Sequence, residues 1–173
     1  MYKRQIIHAA DLGADIINLS LGTYEYSTAL EDAVTYAYNK GCVLIAAAGN
    51  ENTESPLYPA ALDKVIAVAS TYGEPNDSRA PYSNYGDWIT LSAPGGYGSY
   101  SVLSTYHQGD DYFAYIQGTS QATPHVSGLA ALYKSQYPTA TNIEIEYMLK
   151  RGVEDKGEEG WDELYGYGRI NVY

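Results

Sequence analysis

Cysteine occurs once in this sequence, at Cys42, and phenylalanine once, at Phe113; histidine occurs three times, and Lys plus Arg total 10 against 21 for Asp plus Glu. A single cysteine excludes an internal disulfide and a cysteine-built metal site, and leaves the redox compartment unread. The net charge of −11 argues against nucleic acid and against an anionic membrane as partner, since both would repel the chain, and weakly favours cationic peptides. No stretch approaches a membrane span, and no apolar run of signal-peptide length follows the basic Met1-Tyr2-Lys3-Arg4. Internal repeats and low-complexity linkers are also missing. What remains is 173 residues, 45% hydrophobic, enough for one domain with its own core. Tyrosine is abundant, a bias the sequence ties to no function.

Periodicity predicts helices alternating with strands. Ile6, Ile7 and Ala10 sit at helical spacing over residues 2–12, with Gly13 as the stop. Residues 15–20 have the β-branched character of a strand buried on both faces. Thr28-Ala29-Leu30-Glu31 reads as a capping box, and Leu30, Val34, Ala37 and Tyr38 as the apolar stripe of a helix stopped at Gly41. Residues 42–48 form the next strand, so this strand–helix–strand order predicts a parallel pair with a right-handed crossover. Ligands gather at the carboxyl ends of such strands, where Ser20-Leu21-Gly22 and Gly49-Asn50 both lie, and a site is expected between them. The nearly bare Ala46-Ala47-Ala48-Gly49 would let a substrate press against the strand edge. Close helix packing and a Gly-Asn turn account for the same residues without a ligand.

Further along, strands are expected over residues 64–70 and 88–91, the second ended by Ala93-Pro94-Gly95-Gly96, with loops over 51–63 and 72–79. Residues 101–105 and 112–116 read as a hairpin bridged by Gln108-Gly109-Asp110-Asp111. Thr141 and Glu144 suggest a second capping box for a final helix to Arg151, stopped at Gly152. Residues 155–163 read as a solvated acidic loop without distinctive metal-ligand spacing. Gly96-Tyr97-Gly98 and Gly166-Tyr167-Gly168 neither follow a strand nor open a helix, so a dinucleotide site is weakly supported.

The densest pattern is Gly118-Thr119-Ser120-Gln121-Ala122-Thr123-Pro124-His125-Val126-Ser127-Gly128, leading into Leu129-Ala130-Ala131-Leu132-Tyr133. Ala122, Val126, Leu129, Ala130 and Tyr133 form a helical stripe, and with only small residues and Gly128 opposite, a buried helix is expected. Pro124 is compatible with a helix starting at Ser120 or Gln121, because only the first four N–H groups lack an intrahelical partner. Ser120 then stands at the positive end, its backbone N–H and the helix dipole facing any negative charge that develops beside it. Gly118 removes a side chain that would obstruct a substrate. On these residues alone two readings stay open: an oxygen nucleophile, or Thr119 or Ser120 as an ordinary N-cap.

This block resembles the nucleophile motif of the subtilisin-like serine proteases, the subtilases. Ile16-Ile17-Asn18-Leu19-Ser20-Leu21-Gly22 and Val43-Leu44-Ile45-Ala46-Ala47-Ala48-Gly49-Asn50 resemble two further blocks of that family in the same order. The similarity runs on through Tyr58-Pro59, Val65-Ile66-Ala67-Val68, Tyr82-Ser83-Asn84-Tyr85-Gly86, Ala93-Pro94-Gly95 and Tyr165-Gly166-Tyr167-Gly168, nearly the whole chain. The resemblance implies a three-layer α/β fold with a mostly parallel sheet flanked by helices, residues 1–173 being one partial catalytic domain whose amino-terminal part is missing. It implies hydrolysis of peptide or protein substrates through an acyl-enzyme. Ser120 is the implied nucleophile, and Asn50 the side-chain oxyanion donor beside the Ser120 N–H. Ser20, Leu21 and Gly22 match the strand that pairs with substrate backbone. Ala47, Ala48 and Gly49 match the wall, and Leu57 the floor, of the pocket for the residue before the cleaved bond; so bulky a floor would disfavour very large side chains. A cis bond at Tyr58-Pro59 is implied as well.

A serine hydrolase also needs a base and an orienting acid. His8 and His107 lack the Gly and Thr neighbours of the family's histidine motif. His125, five residues after Ser120, belongs to a stretch that is structural in the family, so a packed role is expected for it. The Asp-Ser/Thr-Gly motif is absent, and the implied partner is a missing amino-terminal segment carrying Asp and His. The family implies an extracellular location and no cofactor beyond structural calcium in the full domain. Where one such calcium site has an acidic residue shortly before the Ala-Pro-Gly block, this chain has Thr90, so that site is expected to be weak or absent. An α/β-hydrolase fits poorly, because its Gly-x-Ser-x-Gly would end in Ala122 and the sole downstream histidine is His125. A catalytically inactive fragment, or a module holding an extended peptide by strand addition, is the stronger alternative. Apolar strands short of part of their cover predict a chain that, alone, is marginally stable or self-associates.

Overall fold

Alternation along one strand sets the layers. β2 (Val43–Ala47) is buried at every residue; Leu44 and Ala46 point into one core while Val43 and Ile45 point into another. Side chains two apart share a face of a strand, so a strand apolar throughout must be covered twice. The computed structural model describes residues 2–73, 77–107, 109 and 111–171. α1 (Tyr2–Asp11) and α2 (Thr28–Asn39) cover the first face, through Ile6, Ala10, Leu30, Ala33, Val34 and Ala37. α3 (Thr119–Gln136) and α4 (Asn142–Arg151) cover the second, through Ala122, Val126, Leu129, Ala130, Ile145 and Leu149. Each fully buried Ile, Leu or Val contributes about 1.5–3 kcal/mol, so the two cores dominate the folding energy. The result is a three-layer α/β fold with a mostly parallel sheet flanked by helices.

The main sheet also contains β1 (Ile16–Leu19), β3 (Val65–Thr71), β4 (Leu91–Pro94), β7 (Val153–Glu154) and β8 (Arg169–Ile170), in the order β1-β2-β3-β4-β8-β7. All neighbours run parallel except β7 and β8. Leu19 pairs with Ala46, so the chain leaves β1 at Ser20 and β2 at Ala48 along one carboxyl edge. β5 (Val102–Thr105) and β6 (Phe113–Ile116) form the expected hairpin apart from the main sheet; Gln108 and Asp110 of its bridge lie outside the described residues, as do residues 74–76 of the 72–79 loop.

Several expectations are corrected. β1 is an edge strand, and its Asn18 is exposed and Ile16 only half-buried, so it is not covered on both faces. α2 is capped from Ser27 with no side-chain capping bond, so Thr28 and Glu31 make no capping box there. Instead, Glu31 accepts a hydrogen bond from Tyr26 Oη. The strand placed at 88–91 begins at Leu91 and runs into Pro94, because Leu91 and Ala93 alternate into the core while Trp88 turns its indole N–H to Glu54 O, 3.1 Å away. The capping box at Thr141 and Glu144 is present in both directions.

Candidate active site

α3 starts at Thr119, with Gly118 as its N-cap at φ +150°. Pro124 therefore lies inside the helix, one or two residues further in than a start at Ser120 or Gln121 would place it. Neither Thr119 nor Ser120 is the cap. The helix is half-buried rather than enclosed: Ala122, Val126, Leu129 and Ala130 face the core, while Pro124, His125 and Gly128 are exposed and Leu132 is 64% exposed. Ser120, second in the helix, keeps a backbone N–H without an intrahelical partner. A Cβ at Gly118 would lie 2.9 Å from Gln121 Oε1 and 3.5 Å from Asn50 Nδ2, so glycine leaves the amide of Asn50 uncovered.

Asn50 leaves the carboxyl end of β2 and meets the first turn of α3. Its Oδ1 accepts from the Thr119 N–H at 2.9 Å and from Thr119 Oγ1 at 3.0 Å. With the oxygen thus occupied, the NH₂ end must point away from Thr119, and among the described residues it has no protein acceptor. Thr119 Oγ1 also accepts the Gly49 N–H at 3.0 Å. Sequence reasoning missed Thr119, which is fully buried; a threonine beside the serine, too polar for a dry site without partners, was the available signal. It also missed Asn84. This buried amide donates to Ala48 O at 2.8 Å and Tyr24 Oη at 3.0 Å, and accepts from Glu51 N at 3.0 Å and Thr53 N at 3.3 Å. Asn84 thereby fixes the turn that carries Asn50. Gly49, at φ +106°, has room for no side chain, because a Cβ there would strike the Asn84 amide.

A pocket of about 220 Å³ opens beside Ser120. Its lining brings together Leu21, Gly22, Ala47, Gly49, Asn50, Leu57 and Ser120. Thr23 and Tyr58 pair as an antiparallel bridge, exchanging N–H···O bonds of 2.9 and 2.8 Å, which holds Leu57 against Gly22. A Cβ at Gly22 would stand only 2.5 Å from Leu57 Cδ2, so Leu57 is packed directly against the substrate-pairing segment. The Tyr58-Pro59 bond is cis. Ala48 does not line the pocket: it is fully buried, its N–H bonded to Val68 O and its carbonyl to Asn84. Ser20 lies beside Ser120 rather than in the pocket, its Oγ donating to Ser120 O at 2.9 Å. At the rim, Tyr24 donates to Glu51 Oε2 at 2.6 Å, and burial first, then Glu51, pushes the Tyr24 phenol above its ordinary range.

On its other side Ser120 borders a second cavity, about 410 Å³, between β5 and the exposed Pro124 and His125. His125 is exposed, which corrects the expectation of a packed histidine, and its Nδ1 lies 2.8 Å from Gln121 O on its own helix. His107 stacks on Tyr106 with centroids 4.4 Å apart, and His8 sits on α1. None of the three hydrogen-bonds Ser120 among the described residues. Thr90 Oγ1 is occupied by the Ala67 N–H at 3.1 Å. In the acidic loop, Asp162 accepts from the N–H groups of Glu158, Leu164 and Tyr165, and the described residues contain no group of three or more His, Cys, Asp or Glu placed to hold a metal.

This fold is that of the subtilisin-like serine proteases. The model of the subtilase family matches residues 1–168, and the chain belongs to that family. It is 45% identical over 168 residues to a thermophilic serine proteinase of Bacillus sp. (strain AK1), covering 97% of this chain and 39% of the relative. It is 41% identical over 170 residues to thermitase of Thermoactinomyces vulgaris, covering 97% and 56%. Among solved structures, sphericase superposes with a TM-score of 0.86 at 35% identity, covering 99% of this chain and 63% of that one. The chain thus spans about two fifths and just over half of the two curated relatives.

Proposed function

We propose that this chain carries the nucleophile, oxyanion donors and pocket of a subtilisin-like serine endopeptidase, with the general base and orienting acid supplied by a segment outside this sequence. The supporting observation is convergence: Ser120, the Asn50 NH₂ group that has no acceptor among the described residues, Gly49, Gly22 and Leu57 meet at one pocket. Ser120 Oγ attacks the carbonyl carbon of the scissile bond as its proton passes to the base. The oxygen that becomes anionic accepts from Asn50 Nδ2 and from the Ser120 N–H at the positive end of α3. Collapse of the adduct breaks the C–N bond, the base returns the proton to the leaving amine, and water hydrolyses the acyl-enzyme. Ser20, Leu21 and Gly22, just past the carboxyl end of β1, offer backbone groups for strand pairing with the substrate. Leu57, packed against Gly22, limits the pocket to side chains of modest size.

Because none of the three histidines bonds Ser120 among the described residues, the second reading is a groove that binds extended peptide without cleaving it. Another relative, the minor extracellular protease Epr of Bacillus subtilis (strain 168), 41% identical over 157 residues, supports a place outside the cell for this protein too. The deciding experiment supplies an Asp- and His-bearing subtilase segment by fusion or in trans and follows hydrolysis of peptide anilides. Activity is expected to appear, to vanish in Ser120→Ala, and to fall about 10²–10³-fold in Asn50→Leu, a factor measured in subtilisin itself rather than worked from this geometry. Full activity in Ser120→Ala would remove Ser120 from its role.

A further inference from the structure

Pro124 has no backbone N–H, yet in a helix starting at Thr119 its position is the one whose N–H would bond Ser120 O. The carbonyl of the candidate nucleophile thus loses its regular helical partner by covalent structure. Ser20 Oγ supplies a replacement at 2.9 Å, across from the end of β1. A hydroxyl has one proton, and its direction is set here: Asn18 Nδ2 donates to Ser20 Oγ at 3.0 Å, leaving the Ser20 proton for Ser120 O. Asn18 Oδ1 is in turn 2.9 Å from Ser127 Oγ, two turns along α3. A return contact, Ser120 Oγ to Ser20 O at 3.4 Å, closes the clasp. Asn18 is the exposed polar residue that breaks the apolar run of β1, and this relay gives its placement a physical reason.

We infer that Ser20, oriented by Asn18, is a positioning residue that fixes the Ser120 backbone through the carbonyl Pro124 leaves open. The inference rests on the proposed role of Ser120. On the amino side of Ser120 the preceding N–H is held by Asn50 Oδ1, and on the carboxyl side the carbonyl is held by Ser20. The Cα between them, which sets both the direction of Oγ and the oxyanion N–H, is clamped from two strand ends. Half an ångström of play at a nucleophile is enough to lower its rate, so a clamp of this kind acts on the chemical step.

The test uses the full chain and reads the Ser120 carbonyl ¹³C resonance, which reports hydrogen bonding to that oxygen. Ser20→Ala is expected to move it upfield; Ser20→Thr, which keeps a hydroxyl, and Ser20→Ala combined with Pro124→Ala, which restores an N–H donor, are expected to return it. In the enzyme completed with the Asp and His segment, Ser20→Ala should lower kcat about fivefold with KM unchanged, the worth of one typical hydrogen bond, and the other two should recover it. Should Ser20→Ala fail to fold, Asn18→Ala carries the same readouts with Ser20 in place. An unmoved carbonyl in these variants, or a shift and rate that neither rescue restores, overturns the inference. If the carbonyl responds as expected while Ser120→Ala keeps full activity, the clasp stands and the nucleophile reading fails.

Discussion

Thr119→Val removes one hydroxyl at nearly constant volume and so isolates the bond network beneath Asn50. In the native chain that hydroxyl accepts the Gly49 N–H at 3.0 Å and donates to Asn50 Oδ1 at 3.0 Å. Valine leaves the Gly49 N–H buried without an acceptor, which costs about 1–3 kcal/mol, whereas losing the second bond costs about 0.5–1.5 kcal/mol. The second loss falls at the low end, because the Thr119 N–H still holds Asn50 Oδ1 at 2.9 Å. A total of about 2–3 kcal/mol corresponds to a fall in melting temperature of roughly 4–12 °C for a chain of this size. Thermal and urea unfolding measure it, with the urea m value expected to stay constant, and exchange of the Gly49 amide proton should quicken. Thr119→Ser keeps the hydroxyl and should recover most of the loss. A destabilisation below about 0.5 kcal/mol, or an equal loss in serine, would refute the assignment of Thr119 as a buried double partner.

Leu57→Ala should enlarge the pocket beside Ser120 and, in the completed enzyme, shift kcat/KM toward substrates with aromatic residues before the cleaved bond; an unchanged preference order contradicts Leu57 as the floor. The Glu144 carboxyl is held below its ordinary range by the Thr141 backbone N–H first and its hydroxyl second, with Thr141 N 2.7 Å from Oε2. A depressed carboxyl stabilises above its unfolded pKa and loses that contribution as pH falls through its folded value. The urea-midpoint difference between native chain and Glu144→Gln should therefore be present at neutral pH and vanish in acid, and a pH-independent difference would count against it. The outer edge of β1, without a strand partner among the described residues, and the exposed Leu103, Phe113 and Leu132, at 52, 60 and 64%, predict concentration-dependent self-association of the chain alone; a monodisperse monomer by light scattering at high concentration contradicts it.

The layers were legible because apolar positions along β2, β3 and the helices carry them directly: a run such as Val43-Leu44-Ile45 demands two covers wherever it sits. The glycine stops at Gly13 and Gly41 were legible for the same local reason, both lying at positive φ. The capping box at Thr28 was misplaced for a local reason, since Glu31 is taken by Tyr26 five residues before it. Other misses depend on partners distant along the chain: nothing near Asn18 reveals that a polar edge residue reaches Ser127, 109 residues on. Asn84 stood in the sequence only as part of the Tyr82-Ser83-Asn84-Tyr85-Gly86 resemblance and Thr119 only as a candidate cap, and their roles emerge only where two loops close on β2. Part of the tyrosine content has a use in the structure: the hydroxyls of Tyr24, Tyr36 and Tyr82 reach Glu51, Asp11 and Gly96 O, the polar handle that distinguishes this ring from phenylalanine.

Site mapping of covalent labelling tests the central claim most directly. The chain completed with an Asp- and His-bearing subtilase segment is treated with a fluorophosphonate, digested, and read by mass spectrometry. A single stoichiometric adduct on Ser120, lost in Ser120→Ala and slowed in Asn50→Leu, is the predicted result; an adduct on another serine, or stoichiometric labelling that survives Ser120→Ala, would contradict it.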